Sequence, residues 1–158
     1  MRSRAFLLAP VFLLLFMMTA CGDKSPTNVG SGIPALRITG AWTYTLDAHD
    51  QPMMATCAAR GTITFAQTDA GDQFGGGVVG MQSCMDGGVS SGEETIIVPV
   101  SAGELAGASA RFVALGCTHM GLVTGSPPNH FTGTVTCSLA VTAGGAPRPF
   151  TGTWEATR

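Results

Sequence analysis

Charge is scarce in this sequence. Only 11% of its 158 residues are Asp, Glu, Lys or Arg, and Lys24 is the only lysine. So few cations cannot line a groove for a phosphate backbone, which excludes nucleic acid as a partner. Histidines are few as well: His49, His119 and His130, with no His-x-x-x-His pair to hold a metal. No serine stands in Gly-x-Ser-x-Gly, and no His and Asp are placed to serve one. Gly75-Gly76-Gly77 lacks the following helix and lysine of a phosphate loop, and inside a strand pattern it marks a bulge or sharp bend. Segments rich in Ala, Leu, Glu and Lys, which favour helices, are also rare. Nothing here implies a cofactor or a catalytic constellation, so the chain reads as non-enzymatic.

The longest apolar run, Ala5 to Met18, is too short to span a bilayer and follows the basic pair Arg2 and Arg4. That is the layout of a secretory signal. It ends in Met18-Thr19-Ala20-Cys21. These residues resemble the lipobox of bacterial lipoproteins, in which small residues precede a cysteine, with Met18 standing where Leu is commoner. The resemblance implies that Cys21 is lipidated and begins the mature chain. It also implies sorting: Gly22 replaces the aspartate that some bacteria use as an inner-membrane retention signal. The outer membrane, facing the periplasm, is the expected address in a host with two membranes. The expected organisation is a signal at 1–20, a tether at 21–36 and a domain at 37–158. The tether, rich in Gly, Ser and Pro, cannot bury enough apolar surface to order itself.

What the domain does have is alternation. Ile38, Gly40, Trp42, Tyr44 and Leu46 alternate with Thr39, Ala41, Thr43 and Thr45, a period of two that argues a strand with one buried face. Phe150-Thr151-Gly152-Thr153-Trp154 repeats that code at the end of the chain, as two neighbouring strands that close a sheet would. Eight strand-like runs are expected at about 37–47, 58–67, 73–84, 94–100, 104–114, 117–124, 130–141 and 149–157. Their connections include Asp69–Asp72, Ser101-Ala102-Gly103, Leu115-Gly116 and Ser126-Pro127-Pro128. The spans 47–57, 85–93 and 142–148 read as the longer loops.

Setting Cys21 aside leaves four cysteines of five, enough for two disulfides in an oxidising compartment. Placing Cys57 opposite Cys84 sets Ile63 opposite Val78 and a turn at Ala70-Gly71. Placing Cys117 opposite Cys137 sets Gly121 opposite Gly133 and a turn at Pro127. Both centres coincide with turns already expected from composition, so Cys57–Cys84 and Cys117–Cys137 are the expected bonds. Eight antiparallel strands in sequential hairpins predict an all-β fold, an eight-stranded up-and-down barrel, with a β-sandwich as the alternative.

Gly40-Ala41-Trp42 and the basic Arg158 after the last strand resemble the lipocalin and avidin-like (calycin) barrels. The resemblance implies architecture over 37–158 and no particular cargo. If Arg111 faces water, then Ala106, Ala108, Ala110, Phe112 and Ala114 face inward, as do Gly121, Gly133, Gly152 and His119. A wall so rich in Gly and Ala suggests space for a small hydrophobic ligand among Trp42, Tyr44, Phe112, His119 and Trp154. The alternative is a filled core, with the protein working as an interaction module for an envelope partner through the 47–57 and 85–93 loops. Asp47, His49 and Asp50 cluster in the first loop where a metal could bind, and Glu93/Glu94 and Asp69/Asp72 are adjacent carboxylate pairs; both sets read better as solvated loop and turn residues.

Overall fold

A computed structural model describes residues 36–51, 54–141 and 145–158; the leader, Cys21 and the tether before Leu36 lie outside the described residues. Eight antiparallel strands form a closed barrel in sequence order, and among the described residues there is no helix. The strands are β1 Gly40–Asp50, β2 Ala55–Gln67, β3 Gln73–Asp86, β4 Val89–Ala106, β5 Ser109–Ala114, β6 Cys117–Thr124, β7 His130–Leu139 and β8 Arg148–Thr157. Closure runs through the two tryptophan strands: β1 pairs with β8, and Leu46 stands opposite Trp154.

Alternation dictates which face each residue takes. Trp42, Tyr44, Leu46 and Ala48 of β1 are buried, while Ala41, Thr43, Thr45 and Asp47 between them are exposed. The disulfide registers are those expected from the cysteine positions. Cys57 pairs with Cys84 and Cys117 with Cys137, Ile63 faces Val78, and Gly121 faces Gly133.

The longer loops expected at 47–57 and 85–93 are largely strand. β1 continues to Asp50, so Asp47, His49 and Asp50 lie on a strand. The β3–β4 connection is a tight hairpin at Gly87-Gly88, with φ of 55° and 85°. Two consecutive left-handed residues match the twist of the flanking strands, and glycine supplies them without a steric cost. A second difference lies in β4. Ser101-Ala102-Gly103 is no hairpin; the strand passes through it with a register shift between Ser101 and Glu104, and turns instead at Gly107. Gly103 serves a different purpose from the one expected. A Cβ there would sit 2.5 Å from Cδ2 of Phe74, so glycine lets that ring pack against the backbone. With the turn at Gly107, Ala106 and Ala108 are exposed rather than inward, while Ala110, Phe112 and Ala114 are buried. The bulge expected at Gly75–Gly77 is present as a shift between Phe74 and Gly76.

The register also fixes the barrel's stagger. From Glu93 the cross-strand row runs through Ser83, Ala58, Asp47, Thr153, Thr134, Met120 and Arg111. It re-enters β4 at Glu104, not at Glu93. Closing a tilted barrel requires such an offset. Here it is taken up at the β4–β5 seam, where β5 pairs only with the stretch from Ser101 to Ala106.

Candidate functional site

The five residues singled out as a pocket lining come together in the barrel interior. Trp42, Tyr44, Phe112, His119 and Trp154 are all essentially without solvent exposure. They sit in a continuous aromatic cluster. Phe112 stacks on His119 with centroids 4.4 Å apart and meets the Trp154 edge at 5.1 Å. Phe65 lies 5.2 Å from Phe74, 5.6 Å from Phe112 and 5.3 Å from Phe131. Phe131 in turn contacts Trp42 at 4.8 Å and Trp154 at 5.7 Å. Edge-to-face and offset contacts of this kind each add about 0.5–1.5 kcal/mol beyond the area they bury.

Polar atoms in the cluster are all satisfied. Trp42 Nε1 donates to the Ile38 carbonyl at 2.9 Å and Trp154 Nε1 to that of Met120 at 3.3 Å. Tyr44 Oη and His119 Nε2 are 2.7 Å apart, and His119 Nδ1 lies 3.3 Å from the Cys117 carbonyl. A carbonyl only accepts, so Nδ1 carries the hydrogen, and Nε2 accepts from the tyrosine hydroxyl. Burial lowers the His119 pKa to about 4, against the opposing pull of the Cys117 carbonyl, and keeps the ring neutral. The same burial raises the Tyr44 hydroxyl far above its ordinary value. Neither group is poised to exchange a proton near neutrality.

An arginine lies at each end of the barrel. At one, the Arg158 guanidinium lies 4.2 Å over the Trp42 ring and donates to the carbonyls of Thr39, Arg37 and Pro128. At the other, Arg148 bridges the carboxylates of Asp50 and Asp86 at 3.0 and 2.8 Å. Asp50 is buried and also accepts from the Ala55 amide. That engagement explains why Asp50 does not join Asp47 and His49: it faces inward, on the opposite side of β1.

The glycines expected to leave space instead mark where strands come together. A Cβ on Gly121 would fall 2.5 Å from the Thr132 oxygen and 2.9 Å from the Trp154 ring, and one on Gly133 2.5 Å from the Gly121 Cα. Gly61 and Gly80 form a second facing pair, with backbone atoms 2.3 and 2.2 Å from the added carbons. The volume a side chain would have left empty is occupied by main chain and indole. A recess of about 230 Å³ lies on the outer wall among Asp47, Ala58, Arg60, Ser83 and Glu93, where Arg60 and Glu93 form an ion pair. His130 pairs with Glu155 on the surface. Among the described residues no group of three or more His, Cys, Asp or Glu side chains is placed to hold a metal.

Phe65, Phe74 and Phe131 stand at the centre of the cluster, which alternation alone does not reveal, because it gives a face and not a distance. The Arg148 bridge carried no sequence signal, because Arg148 and its two partners lie on three different strands. Compared with known proteins, the chain matches no family model, no curated protein and no solved structure.

Proposed function

We propose that this chain is a membrane-tethered interaction module: a rigid barrel, held on the envelope through Cys21, that engages another protein with its outer wall. The aromatic cluster along the barrel interior carries the reading. Its rings touch one another from Trp42 to His119, so a hydrophobic cargo would have to displace packed side chains. The outer wall, by contrast, exposes large apolar groups. Ile97 is 77% and Val79 54% exposed, and the two are cross-strand partners on β3 and β4. Apolar side chains placed side by side in water suit a protein contact. The Gly40-Ala41-Trp42 strand and the Arg158 guanidinium over its indole support the likeness to calycin barrels, without requiring a calycin's cargo.

Native mass spectrometry of the purified chain, with thermal titration by palmitate and by a hydrophobic dye, tests this. The expected result is the mass of the chain with its covalent Cys21 lipid and nothing further bound, and an unchanged melting temperature. A stoichiometric co-purified lipid, or a melting temperature that rises with ligand, would reverse the reading in favour of carriage.

A further inference from the structure

The barrel's stagger leaves part of β4 with strand pairing on one side only. From Val89 to Val100 its partner is β3, and among the described residues no strand pairs with the other edge. A bulge opposite Cys84, with Gly92 at a φ of 81°, interrupts the strand between Ser90 and Glu93, and Pro99 has no N–H to give, so the regular strip is Glu93 to Val98, about 20 Å of extended chain. Its last four residues are Thr95-Ile96-Ile97-Val98, β-branched throughout and suited to a sheet. Free edges of this length invite another strand.

The charges on the strip select the occupant. Antiparallel pairing of the strip with a second copy would set Glu93 opposite Val98 and Glu94 opposite Ile97, and the strip itself holds no cation to answer either carboxylate. Glu93 is partly neutralised by Arg60, whereas Glu94 has no ion-pair partner among the described residues. We infer that β4 takes up an extended segment of another protein by strand addition, one in which β-branched aliphatic residues flank a lysine or arginine opposite Glu94. Main-chain hydrogen bonds give such pairing its affinity and the side chains its register. This rests on the interaction-module reading above and names the partner's chemistry.

The test uses the full chain with three probes: acetyl-Thr-Val-Thr-Lys-Val-Thr-Val-amide, the same peptide with glutamate replacing lysine, and the lysine peptide with alternate amides N-methylated. The lysine peptide is expected to slow hydrogen exchange at those alternate amides of Glu93 to Val98 that face away from β3. The glutamate peptide should bind about fivefold more weakly, and the methylated one not at all. Glu94→Lys should invert the preference between the first two. Three outcomes overturn the proposal: no protection by the lysine peptide, equal binding of the methylated form, or protection of the same amides by self-association, which would identify a second copy as the occupant. None of these bears on whether the core holds a ligand, so the interaction-module reading is judged separately by its own lipid measurements.

Discussion

The phenolic hydrogen of Tyr44 is donated to Nε2 of His119, 2.7 Å away, among the aromatic rings of the barrel interior. The strands that carry them are not neighbours, so the bond spans the interior and fixes the imidazole between Phe112 and Trp154. A neutral ring is required for this arrangement, which makes it sensitive to acid.

The pH dependence follows directly. In the folded chain burial lowers the His119 pKa to about 4, while the unfolded ring titrates near its ordinary value of 6.5. Between those values the unfolded state binds the extra proton, so stability is full above pH 6.5 and falls as pH drops towards 4. The loss over that window is expected to be about 3 kcal/mol. Urea unfolding at pH 7, 5.5 and 4.5 measures it. His119→Gln should flatten this part of the profile, and a slope that survives the substitution would assign it to another group.

Removing only the hydroxyl tests the same bond from its other side. Tyr44→Phe leaves Nε2 buried without a donor, at an expected cost of about 1–3 kcal/mol at pH 7. Thermal melts at neutral pH detect this. A loss no larger than a few tenths of a kcal/mol would mean that the ring finds another partner.

Much of this interior was legible because two independent signals agreed. The positions of Cys57 and Cys84, and of Cys117 and Cys137, demanded turns at places where composition had already put them. Alternation then placed Trp42, Tyr44, Phe112, His119 and Trp154 on one face. What alternation cannot give is distance. Glycine at 121 and 133 reads equally well as vacant space or as two backbones in contact, and Gly103 reads as a turn although a Phe74 ring lies on it. The unpaired edge of β4 was hidden for a related reason. Stagger belongs to the closed barrel as a whole, and no single strand's pattern contains it.

The disulfides should matter for persistence more than for shape. Each closes a loop between adjacent strands, with separations of 27 and 20 residues, and loops of this size are worth about 3 kcal/mol by the chain-entropy argument. Replacing Cys117 and Cys137 together by alanine should lower the unfolding free energy by about 2–4 kcal/mol while the far-ultraviolet dichroism of the fold remains. Non-reducing peptide mapping of the parent should recover the two linked pairs. A Cys57–Cys137 peptide would overturn the register itself.

The glycine contacts give the sharpest test of a filled interior. Gly133→Ala puts a methyl 2.0 Å from the Met120 oxygen and 2.5 Å from the Gly121 Cα, both main-chain atoms that cannot swing aside. The strands must separate locally, and overpacking of this kind costs about 1–3 kcal/mol. Gly77 provides the comparison, since a Cβ there meets only the Val98 oxygen at an ordinary 3.5 Å. Gly77→Ala should change stability by no more than a few tenths of a kcal/mol, or improve it slightly by restricting the unfolded chain. If the wall were lined with free volume, Gly133→Ala would be as harmless as Gly77→Ala. Equal urea midpoints for the two variants would therefore undo the close approach of β6 and β7, and leave the packed aromatic rings alone as the objection to a cargo inside the barrel.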